Sequence, residues 1–124
     1  MDAVATYNLT KLYGRQPALR ALNLRVPAGR LFGFLGPNGA GKTTTLRILM
    51  GLLRATGGHA EVLGRDVWRY GPAVRAEVGY LPGDIRLWDW LTGRRTLQFF
   101  CAARGGDDAA EVQRLVKRFD LNLD

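Results

Sequence analysis

The sequence has one cysteine, one histidine and no serine, and it lacks any long apolar run. A single cysteine, Cys101, excludes an internal disulfide bond, which fits a reducing compartment. No run approaches the roughly 20 apolar residues that a membrane-spanning helix needs. The first residues, Met1 to Thr6, lack the basic and apolar regions of a secretory signal. These absences predict a cytoplasmic chain without a transmembrane segment of its own.

The charge is unbalanced, with 18 lysines and arginines against 11 acidic residues and a formal net charge of +7. A basic surplus is compatible with nucleic acid, anionic lipid or phosphate ligands, and it selects none of them. The arginines are spread along the whole chain, which is typical of a solvated surface. Because nothing resembles a motif that reads RNA or DNA, we predict no nucleic-acid partner. A length of 124 residues allows one domain or part of one.

Apolar periodicity predicts an α/β order of elements. The first residues alternate as a strand does, and a second strand is predicted near 18–26. Leu31–Leu35 is apolar on both faces, as is typical of a central strand in a parallel sheet. A helix is predicted from Lys42 to about Leu53. The later part is less regular, with predicted strands at His59–Leu63 and Glu77–Leu81, helices at Pro72–Ala76 and Thr92–Ala103, and a last helix opened by Asp107 and Asp108.

A glycine-rich loop, Gly36–Thr43, lies between the predicted central strand and the first helix. Its spacing, with a lysine and a threonine at the end, is that of a P-loop. In a P-loop, glycines let the backbone approach phosphates, and several N–H groups converge at the positive end of a helix dipole. Lys42 should then reach the β- and γ-phosphates of ATP, and the Thr43 hydroxyl should bind Mg²⁺.

A plain glycine-rich turn is the alternative interpretation of this loop. A chance match is expected on the order of a few times in a thousand chains of this length, given average residue usage. The buried strand before the loop and the helix after it make that alternative still less favoured. The predicted nucleotide-binding residues of the loop and the start of the helix are Gly36, Asn38, Gly39, Ala40, Gly41, Lys42, Thr43 and Thr44, and the predicted cofactors are ATP and Mg²⁺.

The segment from Leu35 to Leu46 closely resembles the ATP-binding subunits of ABC transporters, because its Pro-Asn-Gly-Ala insert is typical of them. The closest resemblance is to bacterial exporter ATPases of the multidrug and ABC-2 type. It extends over essentially all 124 residues but only over the front part of the family's domain. Four further stretches agree in order and spacing, namely Leu9–Gly14, Ala21–Gly29, Thr56–Gly64 and Val78–Pro82.

The resemblance implies an α/β fold, a P-loop NTPase of the ABC ATPase type, present as a partial domain. N-terminal strands, the P-loop strand and its helix would form a nucleotide-binding core over about 1–83. Residues from about 84 to 124 would begin the family's helical subdomain. A membrane permease and a second ATPase subunit are implied as partners of the full-length protein. They would place it at the inner face of the cell membrane.

Three aromatic residues acquire implied roles from the family. Tyr13 would stack its ring on adenine, and an ordinary aromatic at the end of a strand is the alternative. Trp88 and Trp90 lie in the segment where the family meets its membrane partner, and core packing is the alternative for both.

The sequence departs from the family pattern in the residues that support hydrolysis. Gly83 stands where the family has the glutamine that senses the γ-phosphate and Mg²⁺. The signature motif, the Walker B aspartate with its catalytic glutamate, and the switch histidine are absent from these 124 residues, since His59 lies far upstream of the histidine position. We therefore expect a truncated exporter ATPase that binds nucleotide without hydrolysing it. The alternative is a non-catalytic or regulatory nucleotide-binding module completed by a partner chain.

Overall fold

The computed structural model describes residues 1–106 and 108–124, which form two compact units, Met1–Tyr80 and Leu81–Asp124. Among these residues, none of the helices is long and apolar enough to cross a membrane. Among the described residues, the first unit contains four strands and two helices, and the second unit contains two helices. In chain order they are β1 (Asp2–Tyr13), β2 (Gln16–Pro27), α1 (Lys42–Leu49), β3 (Gly57–Val62), β4 (Arg65–Asp66), α2 (Gly71–Glu77), α3 (Gly93–Arg104) and α4 (Ala109–Phe119).

The first unit is an antiparallel sheet in the order β2-β1-β3-β4, with α1 and α2 contributing to its core. Strands β1 and β2 confirm the two predicted N-terminal strands, and β3 confirms the strand predicted near His59. Burying each large aliphatic side chain contributes about 1.5–3 kcal/mol. The buried cluster consists of Leu9, Leu19, Ile48, Leu49, Ala60, Val62, Val67 and Val74.

The pairing of β1 with β2 is interrupted by a bulge, and side chains form hydrogen bonds with the backbone groups that the bulge leaves unpaired. Asn8 and Ala21 have left-handed backbone, with φ of 47° and 43°. The Asn23 side chain closes this site, because its Oδ1 accepts the Asn8 N–H at 2.9 Å. Its Nδ2 donates to Asn8 Oδ1 at 2.9 Å and to the Ala21 carbonyl at 3.1 Å. The Oγ1 of Thr10 accepts the Ala21 N–H at 3.0 Å, so the bulge keeps its polar groups paired.

We expect Asn23→Ala to lower the free energy of unfolding by about 1 kcal/mol, since these exposed hydrogen bonds exchange with water. Asn23→Asp keeps the acceptor for the Asn8 N–H and loses the donor. It should therefore recover part of the loss. Urea unfolding of the three proteins measures both differences. An alanine variant as stable as the parent would show that water replaces the side chain without cost.

Two predicted strands are wrong. Leu31–Leu35 belongs to no sheet, and Leu31 and Leu35 are 105% and 92% exposed. A central strand needs hydrogen-bonding neighbours on both edges, and none of the four described strands pairs with it. Glu77–Leu81 is also not a strand, because Glu77 ends α2 and Val78 continues as extended backbone outside the sheet. An apolar pattern indicates burial in a sheet, but it does not supply the partner strand.

The helices confirm their predicted positions with shifted ends. α1 ends at Leu49, before the predicted Leu53, because the chain turns through the left-handed Gly51, with φ of 64°. Thr92 caps α3 as predicted, its Oγ1 accepting the Arg95 N–H at 3.3 Å. α4 begins at Ala109. Asp107, predicted to open that helix, lies outside the described residues.

The second unit does not bury the apolar face predicted for α4. Val112, Leu115 and Val116 are half-buried, and Phe119 is 64% exposed. None of the residues of α4 is fully buried. The described helices of this unit therefore leave much of that face open to solvent.

Candidate functional site

The predicted P-loop connects the unpaired segment 31–35 to the first turn of α1. The Ala40 N–H donates to the Pro37 carbonyl at 3.1 Å, which closes a turn within the loop. Gly41 precedes the helix with φ of 93°, and its carbonyl accepts from both the N–H and the Oγ1 of Thr45, at 2.9 and 2.8 Å. The N–H groups that precede Thr45 at the start of α1 have no intrahelical partner, as is general at a helix N-terminus.

Gly41 has two physical reasons to be glycine. Its left-handed φ disfavours any residue with a Cβ. A Cβ built at this position would also lie 2.6 Å from the backbone oxygen of Ala18 in β2. The loop therefore contacts the β2 backbone at a distance that only glycine allows. By contrast, Gly39, with φ of 85°, faces open space.

A cavity of about 240 Å³ lies on the loop. It is lined by Ala18 together with seven consecutive residues from Asn38 to Thr44. The structure therefore brings seven of the predicted nucleotide-binding residues together around one space. Gly36 lies beside this space, and a Cβ on it would approach the Ala40 Cβ at 3.1 Å. Sequence reasoning missed Ala18, because only the packing of β2 against the loop places it there.

The Lys42 ammonium is folded back onto the loop. Its Nζ donates to the Gly36 carbonyl, and it donates to the Pro37 carbonyl at 2.9 Å. In the described ranges, 1–106 and 108–124, no carboxylate forms an ion pair with it. An unneutralised cation beside the positive end of α1 makes this cavity attractive to an anion.

The oxygen donors at the start of α1 fit Mg²⁺ only if a second ligand supplies further oxygen atoms. Thr43 is exposed and offers a hydroxyl oxygen, the type of donor that this hard cation prefers. The part of the chain that the structure describes contains no group of three or more histidine, cysteine or acidic side chains that could hold a metal. Mg²⁺ usually keeps several waters and is bound with substrate phosphates, so one hydroxyl is compatible with it.

Tyr13 does not line the cavity. It is the last residue of β1, paired with Gln16 across the hairpin, and it is 54% exposed. The ammonium of Lys11 lies 5.2 Å from its ring centroid. The ring has an open surface on which a planar group could stack, and its adenine-binding role stays a prediction.

In the second unit, Trp88 and Trp90 belong to a surface cluster of four aromatic rings. The Trp88 ring centroid lies 5.1 Å from that of Phe99, 6.1 Å from that of Phe100 and 6.3 Å from that of Trp90. Trp90 is 76% exposed, so core packing does not explain it. Gly83 also lies in this unit, and a Cβ there would meet no atom within 4 Å.

The comparisons with known proteins all indicate the same family. The family model for ABC transporters matches residues 19–124. The chain is 43% identical to the daunorubicin resistance ATP-binding protein DrrA3 of Streptomyces coeruleorubidus over 96% of its own length and 39% of that protein. It is 40% identical to the phospholipid-transporting ATPase ABCA7 of Homo sapiens over 90% of the chain and 5% of that protein. The chain thus spans well under half the length of these relatives.

Solved structures agree with the sequence relatives. An ATP-binding subunit of an ABC transporter superposes with a TM-score of 0.81 at 26% identity, covering 96% of this chain and 51% of that one. A bacterial Atm1-family ABC exporter with ATP bound gives a TM-score of 0.77 at 29% identity, covering 92% of this chain and 20% of that one. The chain therefore belongs to the ABC transporter family, and its fold is part of an ABC-type P-loop NTPase domain.

Proposed function

We propose that this chain binds Mg-ATP through its P-loop as part of an ABC exporter ATPase. One observation carries the proposal: a cavity lined by residues 38–44 lies at the N-terminus of α1, beside the ammonium of Lys42. Backbone N–H groups, a helix dipole and an unneutralised lysine are the components that bind phosphate in water. The names of the relatives, an ATP-binding resistance protein and a transporting ATPase, support the same role.

Lys42 changes partners when a nucleotide binds. In the structure its ammonium is held by the neutral carbonyls of Gly36 and Pro37. Charged phosphate oxygens are stronger acceptors than neutral carbonyls, so the β- and γ-phosphates replace them. The Thr44 N–H and hydroxyl would bind the α- or β-phosphate. The hydroxyl of Thr43 would hold Mg²⁺, which neutralises phosphate charge when bound. Tyr13 would add stacking on adenine.

Hydrolysis requires groups that these residues do not supply. Phosphoryl transfer depends on orienting the attacking water and stabilising charge around the γ-phosphate. The sequence contains no apolar run followed by Asp-Glu, and its only histidine, His59, stacks on Tyr7 in the sheet. We infer that these 124 residues bind ATP without turnover. In the longer proteins of the family, a permease and a second ATPase subunit at the inner membrane face would couple turnover to export.

A second candidate is a nucleotide-binding or regulatory module completed by another chain. The exposed, unpaired segment Leu31–Leu35 favours it, since a partner strand beside this segment would bury both of its faces. Walker B residues encoded immediately downstream of these 124 residues would support a truncated exporter ATPase instead. The absence of those residues from the gene would support the module completed by another chain.

Titration calorimetry with Mg-ATP tests the proposed function. We expect saturable micromolar to millimolar binding by the chain, and at least tenfold weaker binding by Lys42→Ala, because a charge-assisted hydrogen bond contributes about 1.5–3 kcal/mol. Lys117→Ala is the matched control. It removes the same charge from α4, outside the P-loop cavity, and should bind ATP normally.

The control variant and a turnover assay decide between the possible outcomes. Equal losses in Lys117→Ala and Lys42→Ala would indicate a diffuse electrostatic effect and would contradict a specific P-loop site. Absence of binding by the parent chain would contradict the proposal for these residues. Phosphate release is expected to stay at background, and ATP turnover that is lost in Lys42→Ala would overturn the inference of binding without hydrolysis.

A further inference from the structure

A second cavity in the first unit, of about 290 Å³, lies between the loop before β3 and the turn after β4. Its floor includes Leu9, Ile48 and Val67, all of which are at most 3% exposed. Its rim carries Arg54 and Trp68, and we name it the Arg54–Trp68 pocket. It shares no lining residue with the P-loop cavity. The pocket therefore offers a binding surface independent of the nucleotide site.

The rim combines a cation with an aromatic plane. The guanidinium carbon of Arg54 lies 5.5 Å from the centroid of the Trp68 ring, which is 53% exposed. Taking residues 1–106 and 108–124 together, no carboxylate forms an ion pair with Arg54. A guanidinium presents a planar fork of donors that matches a carboxylate. The indole beside it offers a surface for ring stacking.

Two other ionisable residues line the pocket, and both already have partners. The Oδ1 atom of Asp66 accepts the N–H groups of Trp68 and Arg69, at 3.0 and 2.8 Å. The His59 ring stacks on Tyr7, with centroids 4.5 Å apart. Arg54 is thus the one lining cation that faces the pocket without a bonded anion among the described residues.

The walls of the pocket are fixed by hydrogen bonds. The Lys11 ammonium donates to the Arg54 carbonyl at 2.9 Å, which ties the loop before β3 to β1. The Val67 N–H donates to the Ala60 carbonyl at 3.0 Å, which ties the opposite wall to β3. A preformed pocket avoids the cost of ordering its walls when a ligand binds.

We propose that the Arg54–Trp68 pocket binds a small aromatic carboxylate. The ring of the ligand lies on the apolar floor beside Trp68, and its carboxylate accepts from the Arg54 guanidinium. The volume of about 290 Å³ lies at the small end of ligand pockets, which limits the ligand to one or two fused rings.

Sodium 2-naphthoate is the probe, titrated into the isotope-labelled chain and followed by amide NMR shifts. We expect saturable shifts at Gly57, Gly58 and Trp68, which line the pocket. Neutral 2-naphthamide has nearly the same shape and should bind at least tenfold more weakly. Arg54→Gln should weaken naphthoate binding at least tenfold, since it removes the charged donor. Arg69→Gln is the matched control, because Arg69 also stacks on a ring, 5.8 Å from that of Tyr70, but lies outside the pocket.

Several results would overturn the proposal. Equal binding of the acid and the amide, or unchanged binding by Arg54→Gln, would show that Arg54 does not select a carboxylate. Shifts confined to residues 38–44 would place the probe in the P-loop instead. Absence of saturable shifts in the parent chain would exclude the site for this ligand class. The Mg-ATP titration reports on the P-loop separately, so failure of either proposal leaves the other standing.

Discussion

Gly58→Ala is expected to lower the free energy of unfolding by at least about 3 kcal/mol, because it combines a backbone clash with a strained conformation. A Cβ at Gly58 would lie 2.3 Å from the carbonyl oxygens of both Tyr7 and Asn8. These oxygens belong to the irregular part of β1, where Tyr7 pairs with His59 of β3, so they cannot move without disturbing that pairing. Gly58 also has a left-handed φ of 69°. Urea unfolding monitored by circular dichroism measures the change.

Gly64→Ala separates the two causes. Gly64 has nearly the same φ, 73°, but a Cβ there would meet no atom within 4 Å. The left-handed conformation alone should cost about 1–2 kcal/mol. If both variants lose the same stability, the close contact of Gly58 with the Tyr7 and Asn8 carbonyls contributes nothing and is not maintained in solution.

Gly41→Ala is expected to weaken Mg-ATP binding by at least about 100-fold, which corresponds to about 2.7 kcal/mol. The added methyl group would lie 2.6 Å from the Ala18 oxygen, so the loop has to move away from β2. That movement displaces the N–H groups that bind phosphate. Titration calorimetry measures the affinity, and circular dichroism establishes that the variant is still folded.

Gly29→Ala is the control for this loop variant. Gly29 also has a left-handed φ, of 71°, but it lies outside the P-loop and a Cβ there meets no atom within 4 Å. Its ATP affinity should match that of the parent. An affinity of Gly41→Ala close to that of the parent would show that the contact with β2 is not needed for the nucleotide site.

The parts of the fold that depend on nearest neighbours in sequence could be predicted. The alternation around Val4 to Leu9 gave β1, and the threonine before α3 gave its cap. The P-loop residues are contiguous, so their grouping around one cavity needs no tertiary information. Ala18 could not be found in this way, because its place in the site depends on how β2 packs against the loop.

The errors arose where an element needs a distant partner. Leu31–Leu35 has the apolar pattern of a central strand, yet strand formation requires hydrogen bonds to other strands. Asn8 lies within a predicted strand, but its left-handed φ of 47° breaks the alternation of side chains that the sequence pattern indicates. The Asn23 side chain that bonds the Asn8 backbone lies 15 residues away, so the residues next to Asn8 do not indicate the irregularity. The pattern of side chains therefore predicts which residues are apolar on a common face, but it predicts neither the pairing of a strand nor the burial of that face, as the exposed Leu31 and Phe119 show.

The exposed segment Leu31–Leu35 also affects how the protein must be studied. It has no charge and no proline, and its unpaired backbone can act as a template for an identical strand. Self-association through this segment would grow with protein concentration and would carry the adjoining P-loop into the oligomer. The measured affinities and unfolding midpoints of this chain therefore depend on protein concentration. Each titration has to be repeated at several protein concentrations.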